Sequence, residues 1–351
     1  MRSILLFGGG PDPPHSPGHG RAAIKNSPGT AIDGFRPLTL QCQQPMGNLP
    51  TWDRPMTGPK AMRLLSHAPN ALRRILRVSV CAVLGTILLF AILLIGCQRR
   101  LIYFPRRYDR NYARMLPKGT VELTFQTSGG RQTAFYLPPQ SGREGLPPAV
   151  WLFFGGNAAC ALDWLDWLES PPLPEPGWLL IEYPGYGLCE GKPSAKNILE
   201  STESAVDRLA EHLHVERSAF EPRLCLLGHS IGAAAALQFA ARHPVRRVIL
   251  ISPFTSLRDM ARRVVGWPLC NLLWDRYDNR ARLSELAARA PRPSLAIFHG
   301  QADEIVPVKM GRELAGMGRD WIAYQEIAGA DHNLILMVAE QQVFAAMRAG
   351  G

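Results

Sequence analysis

The chain has 351 residues, of which 46% are hydrophobic, an ordinary fraction for a globular protein. Residues 1–119 hold 17 Lys/Arg and 4 Asp/Glu and residues 120–351 hold 22 and 25, so their charges of +13 and −3 sum to the net +10. Because the excess surrounds an apolar segment and the rest is nearly neutral, the charge argues against a nucleic-acid partner. It favours basic residues beside a membrane.

Residues 1–72 form a basic leader in which Pro and Gly make up 19 of the first 61 residues. Such a composition cannot bury enough apolar surface to offset the entropy of the chain, so we expect this segment to be disordered. An alternative is that part of it is not translated, because Met46, Met56 or Met62 is the true start. A start at Met46 would create a match to the myristoylation pattern.

Residues 73–100 contain an apolar segment with arginines on both sides. Its 20 uncharged residues, 78–97, are long enough to cross the roughly 30 Å hydrocarbon core of a bilayer at about 1.5 Å per residue. We therefore expect a single-pass membrane anchor. The alternative is a lipoprotein signal, since residues 94–97 resemble a bacterial lipobox in which Cys97 would be lipidated. Basic residues are nearly balanced on the two sides, so the side that the following domain faces stays open.

Residues 101–351 alternate between short apolar runs and helical patterns. The expected strands are 121–127, 132–137, 149–154, 178–183, 223–227, 247–251, 295–299 and 321–327, and the expected helices are 158–169, 195–213, 231–242, 309–317 and 333–348. Runs that are apolar on both faces indicate a parallel sheet covered by helices. The pattern predicts a mostly parallel, doubly wound α/β sheet that starts with an antiparallel hairpin. Residues 254–292 interrupt the alternation and are expected to form a small helical cap.

Residues 228–232 read Gly-His-Ser-Ile-Gly, a G-x-S-x-G motif. The pentapeptide alone is a weak signal, but here it joins an expected strand to an expected helix, which is the context of a nucleophile elbow. Gly228 and Gly232 fit this context, because side chains there would collide with the strained turn. Ser230 is therefore the candidate nucleophile, and it lies at a helix N-terminus that favours developing negative charge.

A serine hydroxyl is a weak nucleophile that needs a base, and the base needs an acid to orient it. His332 follows the last expected strand, and active sites form at the C-terminal ends of parallel strands, so His332 is the candidate base. Asp303 follows the preceding strand and is the candidate acid, with Glu304 as a rival one residue on. The chain order Ser, Asp, His fits the elbow motif.

The tetrahedral intermediate of such a reaction needs two main-chain N–H donors. We expect one from Ile231, directly after the nucleophile, and one from Asn157, in the Gly-rich loop after the third strand. The seven cysteines show no metal-ligand spacing. We therefore expect no metal and no cofactor, and the expected partners are a small-molecule or acylated substrate and the lipid bilayer.

Several motifs within residues 98–351 together resemble those of the Bem46-like α/β-hydrolases. They are Gly-Asn-Ala at 156–158, Tyr-Pro-Gly-Tyr-Gly at 183–187 followed by 190–194, the elbow at 228–232, Ser-Pro-Phe-Thr-Ser at 252–256, and the loops of Asp303 and His332. Two positions depart from the family pattern: Gly155 replaces its usual His, and Cys189 its usual Ser. The resemblance implies an α/β-hydrolase fold and serine-hydrolase activity. Because the family includes lipid hydrolases and protein depalmitoylases, it leaves the substrate open.

The expected function is that of a membrane-tethered serine hydrolase that cleaves an ester or thioester of an acyl or lipid-like substrate. One alternative is a serine peptidase of the prolyl-oligopeptidase type, although no long gating domain is visible. The other is a non-catalytic membrane scaffold, which would not need an intact Ser/Asp/His set. We expect the cap to roof an acyl pocket with five apolar side chains, namely Trp267, Leu269, Leu272, Leu273 and Trp274. The oligomeric state stays open.

Overall fold

The computed structural model describes residues 70–139, 145–169 and 176–348, so the expected leader lies outside the described residues as far as residue 69. The first described element is helix α1, Asn70–Ile102, which begins inside the range assigned to the leader. It is long and apolar enough to cross a membrane, and no residue of its most apolar window is buried. The described residues divide into two units between residues 87 and 88, within α1, and the elements below belong to the second.

The described residues form one eight-stranded sheet in the order β1-β2-β4-β3-β5-β6-β7-β8. The strands are β1 (Val121–Thr127), β2 (Gly130–Leu137), β3 (Val150–Phe154), β4 (Gly177–Ile181), β5 (Leu224–His229), β6 (Arg247–Ile251), β7 (Ser294–Gly300) and β8 (Ile322–Ile327). Strand β2 pairs antiparallel with β1 and β4, and the remaining pairs are parallel. The predicted mostly parallel sheet with an antiparallel start is confirmed.

Helices cover both faces of the sheet, which explains why its central strands are apolar throughout. Beyond α1, the helices are α2 (Leu165–Glu169), α3 (Ala195–His212), α4 (Arg217–Phe220), α5 (Ile231–Ala240), α6 (Leu257–Val265), α7 (Asn279–Ala287), α8 (Val308–Gly316), α9 (Ile335–Val338) and α10 (Glu340–Arg348). Helices α3, α5, α7 and α8 pack on one face and α2, α9 and α10 on the other. All residues of β3, β4, β5 and β6 are buried between these layers.

Two of the expected helices are interrupted in the structure. The expected helix 333–348 is split into α9 and α10, and α9 begins only at Ile335. The Asp331 side chain accepts hydrogen bonds from the main-chain N–H groups of Asn333 and Leu334 at 2.9 and 2.8 Å, which holds these residues in a turn. The expected helix 158–169 is a loop followed by a 3₁₀ turn and then α2.

The expected cap, residues 254–292, contains helices α6 and α7 with a 3₁₀ turn between them. Helix α6 begins after Ser256, whose side chain accepts a hydrogen bond from the Asp259 N–H at 3.0 Å. It ends at Gly266, which has a φ of 73° that suits glycine. Helix α7 begins in the same way after Asp278. The cap is therefore helical, as the sequence predicts.

Candidate active site

Ser230 lies in the sharp turn between β5 and α5. Its φ of 57° and ψ of −115° are strained for a residue with a side chain, at a cost of about 1–3 kcal/mol. A Cβ on Gly228 would meet the carbonyl oxygen of Gly232, and a Cβ on Gly232 would meet that of Phe154. Close main-chain approach thus requires glycine at both positions of the motif.

The structure brings Ser230, His332 and Asp303 together at the C-terminal edge of the sheet, although they are far apart in the chain. His332 Nε2 lies 2.9 Å from Ser230 Oγ, and His332 Nδ1 lies 2.7 Å from Asp303 Oδ2. All three residues are buried. Since the carboxylate can only accept, Nδ1 is the donor of this bond, which leaves Nε2 as the atom that can accept a proton from the serine hydroxyl.

Asp303 is held by its own loop as well as by His332. Its Oδ1 accepts hydrogen bonds from the N–H groups of Ile305 and Val306 at 3.0 and 2.7 Å. Burial by itself raises the pKa of Asp303, but the bonding to His299, His332 and Val306 outweighs burial and holds the pKa well below its ordinary value. The rival Glu304 is exposed to solvent, whereas the Asp303 carboxylate is buried.

Two buried histidines that the sequence analysis left without a role contact this group. His299 Nε2 lies 2.8 Å from the carbonyl oxygen of Val306 and 3.4 Å from Asp303 Oδ2. His229 Nε2 lies 2.9 Å from the carbonyl oxygen of His332, so it donates to that oxygen. Burial lowers the pKa of His229 to about 3, which keeps this ring neutral. The sequence could have pointed to His299 as a contact of the site, because it lies only four residues before the candidate acid Asp303.

The loop after β3 packs against the elbow. A Cβ on Gly156 would lie 2.7 Å from His229 Nδ1, so this loop also needs glycine for close approach. The hydrogen bonds of Asn157 within the described residues run through its side chain, which leaves its main-chain N–H without an acceptor. The N–H of Ile231, in the first turn of α5, likewise has no acceptor among the described residues.

The Asn157 side chain ties this loop to the end of α1. Its Nδ2 donates to the carbonyl oxygen of Ile102 at 2.6 Å, and its Oδ1 accepts from the Phe104 N–H at 3.0 Å. The Tyr186 hydroxyl donates to the same Oδ1 at 2.8 Å, and the Tyr183 hydroxyl donates to the carbonyl oxygen of Gly155 at 2.7 Å. Both tyrosines belong to the Tyr-Pro-Gly-Tyr-Gly motif, which could have marked them as supports of the loop.

Cys189, one of the two departures from the family pattern, is buried in the loop after β4 and contacts strand β2. Its sulfur accepts from the Thr133 N–H at 3.3 Å and lies 3.4 Å from the Thr133 carbonyl oxygen. Burial raises the pKa of this thiol to about 12, so it stays protonated and inert. The domain cysteines Cys160, Cys189, Cys225 and Cys270 are free thiols. Within residues 70–139, 145–169 and 176–348 no cluster of metal-binding side chains occurs.

The expected roof over an acyl pocket is wrong for the aromatic residues of the cap. The side chains of Trp267 and Trp274 are 75% and 69% exposed, so both face mainly solvent. Leu269 and Leu273 are half-buried, and Leu273 packs on the core. The apolar pattern could not separate the two cases, because apolar side chains read the same whether they face a pocket or the outside of the domain.

The chain is similar to proteins of known sequence and structure. It is 31% identical to the Mycobacterium tuberculosis protein Rv2307c over 275 residues, 75% of this chain and 90% of the relative. It is 28% identical to protein bem46 of Schizosaccharomyces pombe over 136 residues, 36% of this chain and 42% of bem46. The solved Pyrococcus furiosus esterase Pf2001 has a TM-score of 0.51 at 11% identity, with 70% of this chain and 96% of that chain covered, which shows the fold alone.

A sequence profile of the alpha/beta hydrolase family matches residues 145–346, which is more than half of the chain. The matched region runs from just before β3 to α10 and so contains the elbow, the Asp303 loop and the His332 loop. With the strand order of the sheet, this match and the likeness to bem46 confirm the resemblance derived from the motifs. The chain belongs to the alpha/beta hydrolase family and is a Bem46-like member of it.

Proposed function

We propose that this chain is a membrane-tethered serine hydrolase that cleaves an ester or thioester bond. Ser230 is the nucleophile, His332 the general base and Asp303 the acid that orients the base. The observation that carries the proposal is the chain of two hydrogen bonds, 2.9 Å from Ser230 Oγ to His332 Nε2 and 2.7 Å from His332 Nδ1 to Asp303 Oδ2. A structural role would not need a buried serine in a strained turn against a histidine.

In the first step, Ser230 Oγ bonds to the substrate carbonyl carbon while its proton passes to His332 Nε2. The carbonyl oxygen becomes an oxyanion, which the N–H groups of Ile231 and Asn157 stabilise at the N-terminus of α5. The ionised Asp303 stabilises the imidazolium. His332 then protonates the departing alcohol or thiol as the C–O or C–S bond breaks, which leaves an acyl group on Ser230.

In the second step, a water molecule attacks the acyl carbon and gives its proton to His332 Nε2. The oxyanion forms again in the same place, the bond to Ser230 Oγ breaks, and the proton returns to the serine. The products are a carboxylic acid and the free enzyme. The mechanism uses groups of this chain and water, and His332 returns to its neutral state after each half of the cycle.

The tether is part of the proposal, with α1 as a single-pass anchor. The support is the length and apolar character of the helix, whose apolar run exceeds the roughly 7–15 residues of a signal-peptide core. Cleavage with lipidation at Cys97 is the rival. Intact mass spectrometry of the membrane-extracted protein distinguishes them, because a mature N-terminus at Cys97 that carries acyl chains would refute the anchor.

A fluorophosphonate probe on the full chain tests the chemistry, with Ser230→Ala as its control. Labelling of the wild type and loss of labelling in the variant are expected. The esterase and peptidase hypotheses are then separated by turnover measurements. The substrates are nitrophenyl esters and thioesters of rising acyl length and a panel of peptides. Absence of labelling together with absence of turnover on every substrate would support the scaffold alternative instead.

A further inference from the structure

The cap exposes four large apolar side chains to solvent. Val264, Trp267, Leu272 and Trp274 are 67%, 75%, 37% and 69% exposed, within a stretch of eleven residues, 264–274. We call these four side chains the cap patch. Single exposed apolar residues are normal on a soluble protein, but four within one short segment, two of them tryptophans, point to a surface that meets an apolar partner.

The cap patch is bonded to the end of the apolar helix. The main-chain N–H of Trp274 donates to Gln98 Oε1 at 2.7 Å, and Arg99 Nε lies 4.0 Å from Asp275 Oδ2. Gln98 is buried in this contact, whereas most of the large apolar side chains of α1 up to Leu93 are exposed. Since the uncharged run ends at Cys97, Gln98 is where the helix would leave the hydrocarbon core. With α1 as the anchor, Trp274 would be held at the level of the membrane surface.

The charges around the cap patch suit an anionic lipid surface. Arg262 and Arg263 are exposed in the last turn of α6, and Arg276 is exposed directly after the patch. The acidic side chain within residues 262–276 is that of Asp275, which is buried beside Arg99. Tryptophan and arginine together are typical of segments that lie in the interface of a bilayer, with rings among the headgroups and cations on the phosphates.

The candidate active site is attached to the same short stretch of chain. Asn157 is hydrogen bonded to Ile102 and Phe104, four and six residues after Gln98. Residues 98–104 therefore hold the cap patch on one side and the loop next to Ser230 on the other. If the cap patch lies in the bilayer interface, these bonds hold the candidate active site close to the bilayer surface.

We propose that the cap patch inserts into the interfacial layer of the anionic bilayer that α1 crosses, and so holds the active site against the membrane for acyl substrates taken from it. This inference rests on the anchor and the hydrolase of the proposed function. The partner of the cap patch in this proposal is the lipid bilayer. A second copy of the chain or another protein on the same side chains is the competing outcome.

Fluorescence quenching of the full chain in vesicles tests the insertion directly. The vesicles contain phosphatidylcholine and phosphatidylglycerol, with bromine on the acyl chains close to the headgroups. Trp267→Phe and Trp274→Phe should each reduce the quenched fraction of the emission. The matched control is Trp321→Phe, at a half-buried tryptophan packed on the core, which should not lower that fraction. Quenched fractions of Trp267→Phe and Trp274→Phe that are no lower than that of the wild type would overturn the proposal.

Turnover provides a second readout. The double variant Trp267→Ser/Trp274→Ser should hydrolyse a long-chain ester in anionic vesicles at least about tenfold more slowly than the wild type, a loss equivalent to one poorly buried side chain. A short, soluble ester in detergent should react within about twofold of wild type, as for a surface substitution. Met317→Ser, at an exposed apolar residue after α8, should change neither rate. Equal slowing on both substrates would contradict a membrane role.

The two readouts separate this inference from the proposed function. A wild type that takes no probe and cleaves no ester refutes the hydrolase, while quenching still reports whether the cap patch meets lipid. An active wild type whose Trp267 and Trp274 are not quenched refutes the docking alone. Crosslinking between copies through the cap patch without lipid quenching would assign the surface to self-association, and would also overturn the proposal.

Discussion

The Asn157 side chain donates a hydrogen bond of 2.6 Å to the carbonyl oxygen of Ile102, the last residue of α1. Asn157 also has the main-chain N–H that we propose as an oxyanion donor. The loop that would stabilise the transition state is thus held by the C-terminal end of α1. Any change that frees this side chain should disturb catalysis without contact between the changed atoms and the substrate.

Asn157→Ala should lower kcat by about tenfold to a hundredfold and leave KM nearly unchanged, because a misplaced oxyanion donor acts on the transition state. The measurement is steady-state kinetics on a short nitrophenyl ester. Tyr186→Phe removes one of the bonds to Asn157 Oδ1 and should have a smaller effect. A kcat that stays at the wild-type level in Asn157→Ala would mean that the loop needs no anchoring.

Replacement of Ser230 should separate activity from stability. Both Ser230→Ala and Ser230→Gly should abolish turnover and probe labelling, at a cost of about four orders of magnitude or more. Because φ is 57° at this position, Ser230→Gly should be about 1 kcal/mol more stable than Ser230→Ala. Thermal unfolding in detergent measures the difference. Equal stability of the two variants would argue against backbone strain at the elbow.

The acid of the triad should be identifiable by a pair of isosteric variants. Asp303→Asn should reduce kcat by about four orders of magnitude, because the amide stabilises the wrong tautomer of His332. Glu304→Gln, at the exposed neighbour, should stay within about twofold of the wild type. Both are measured with the same ester. A larger loss in Glu304→Gln than in Asp303→Asn would require reassignment of the acid.

His229 should make the folded state sensitive to acid. Its pKa is lowered to about 3 by burial, whereas the unfolded chain has an ordinary histidine that takes up a proton near 6.5. The unfolded state therefore binds more protons between these values, and stability falls as the pH falls from about 6.5 to 3. His229→Gln should show a shallower fall. The measurement is the unfolding midpoint of both proteins over this pH range. Parallel curves for the two proteins would refute the role of His229 in the acid sensitivity.

Glu182 should act in the opposite direction. Burial raises its pKa from 4.5 to about 7, although hydrogen bonds from the Tyr108 hydroxyl and the Ala161 N–H oppose the rise. The folded state holds this proton where the unfolded state has lost it, so its contribution to stability falls as the pH rises from 4.5 to 7. The free energy of unfolding of Glu182→Gln should therefore rise relative to that of the wild type over that range, by up to about 3 kcal/mol. Glu211→Gln, at an exposed carboxylate, is the control and should track the wild type.

The strands and the elbow could be predicted from sequence because their signals are local. Five consecutive apolar residues at 150–154 indicate a buried parallel strand without knowledge of its neighbours. Gly228 and Gly232 around Ser230 indicate a sharp turn, since the collisions that they avoid lie within one strand-turn-helix unit or directly beside it. The positions of Asp303 and His332 at strand ends follow from the same alternation, because parallel strands end at one edge of the sheet.

The partner of each side chain was decided only by the tertiary structure. The sequence alone determined the kind of sheet, the segment able to cross a membrane and the residue types available for the chemistry. It could not show that the Asn157 side chain donates a hydrogen bond to Ile102, 55 residues away. Nor could it show that His229 donates to the carbonyl oxygen of His332, 103 residues away. Nor could it decide that Trp267 and Trp274 face outward. Periodicity and turn chemistry act between neighbours in the chain, whereas these contacts depend on how distant loops meet at the edge of a completed sheet.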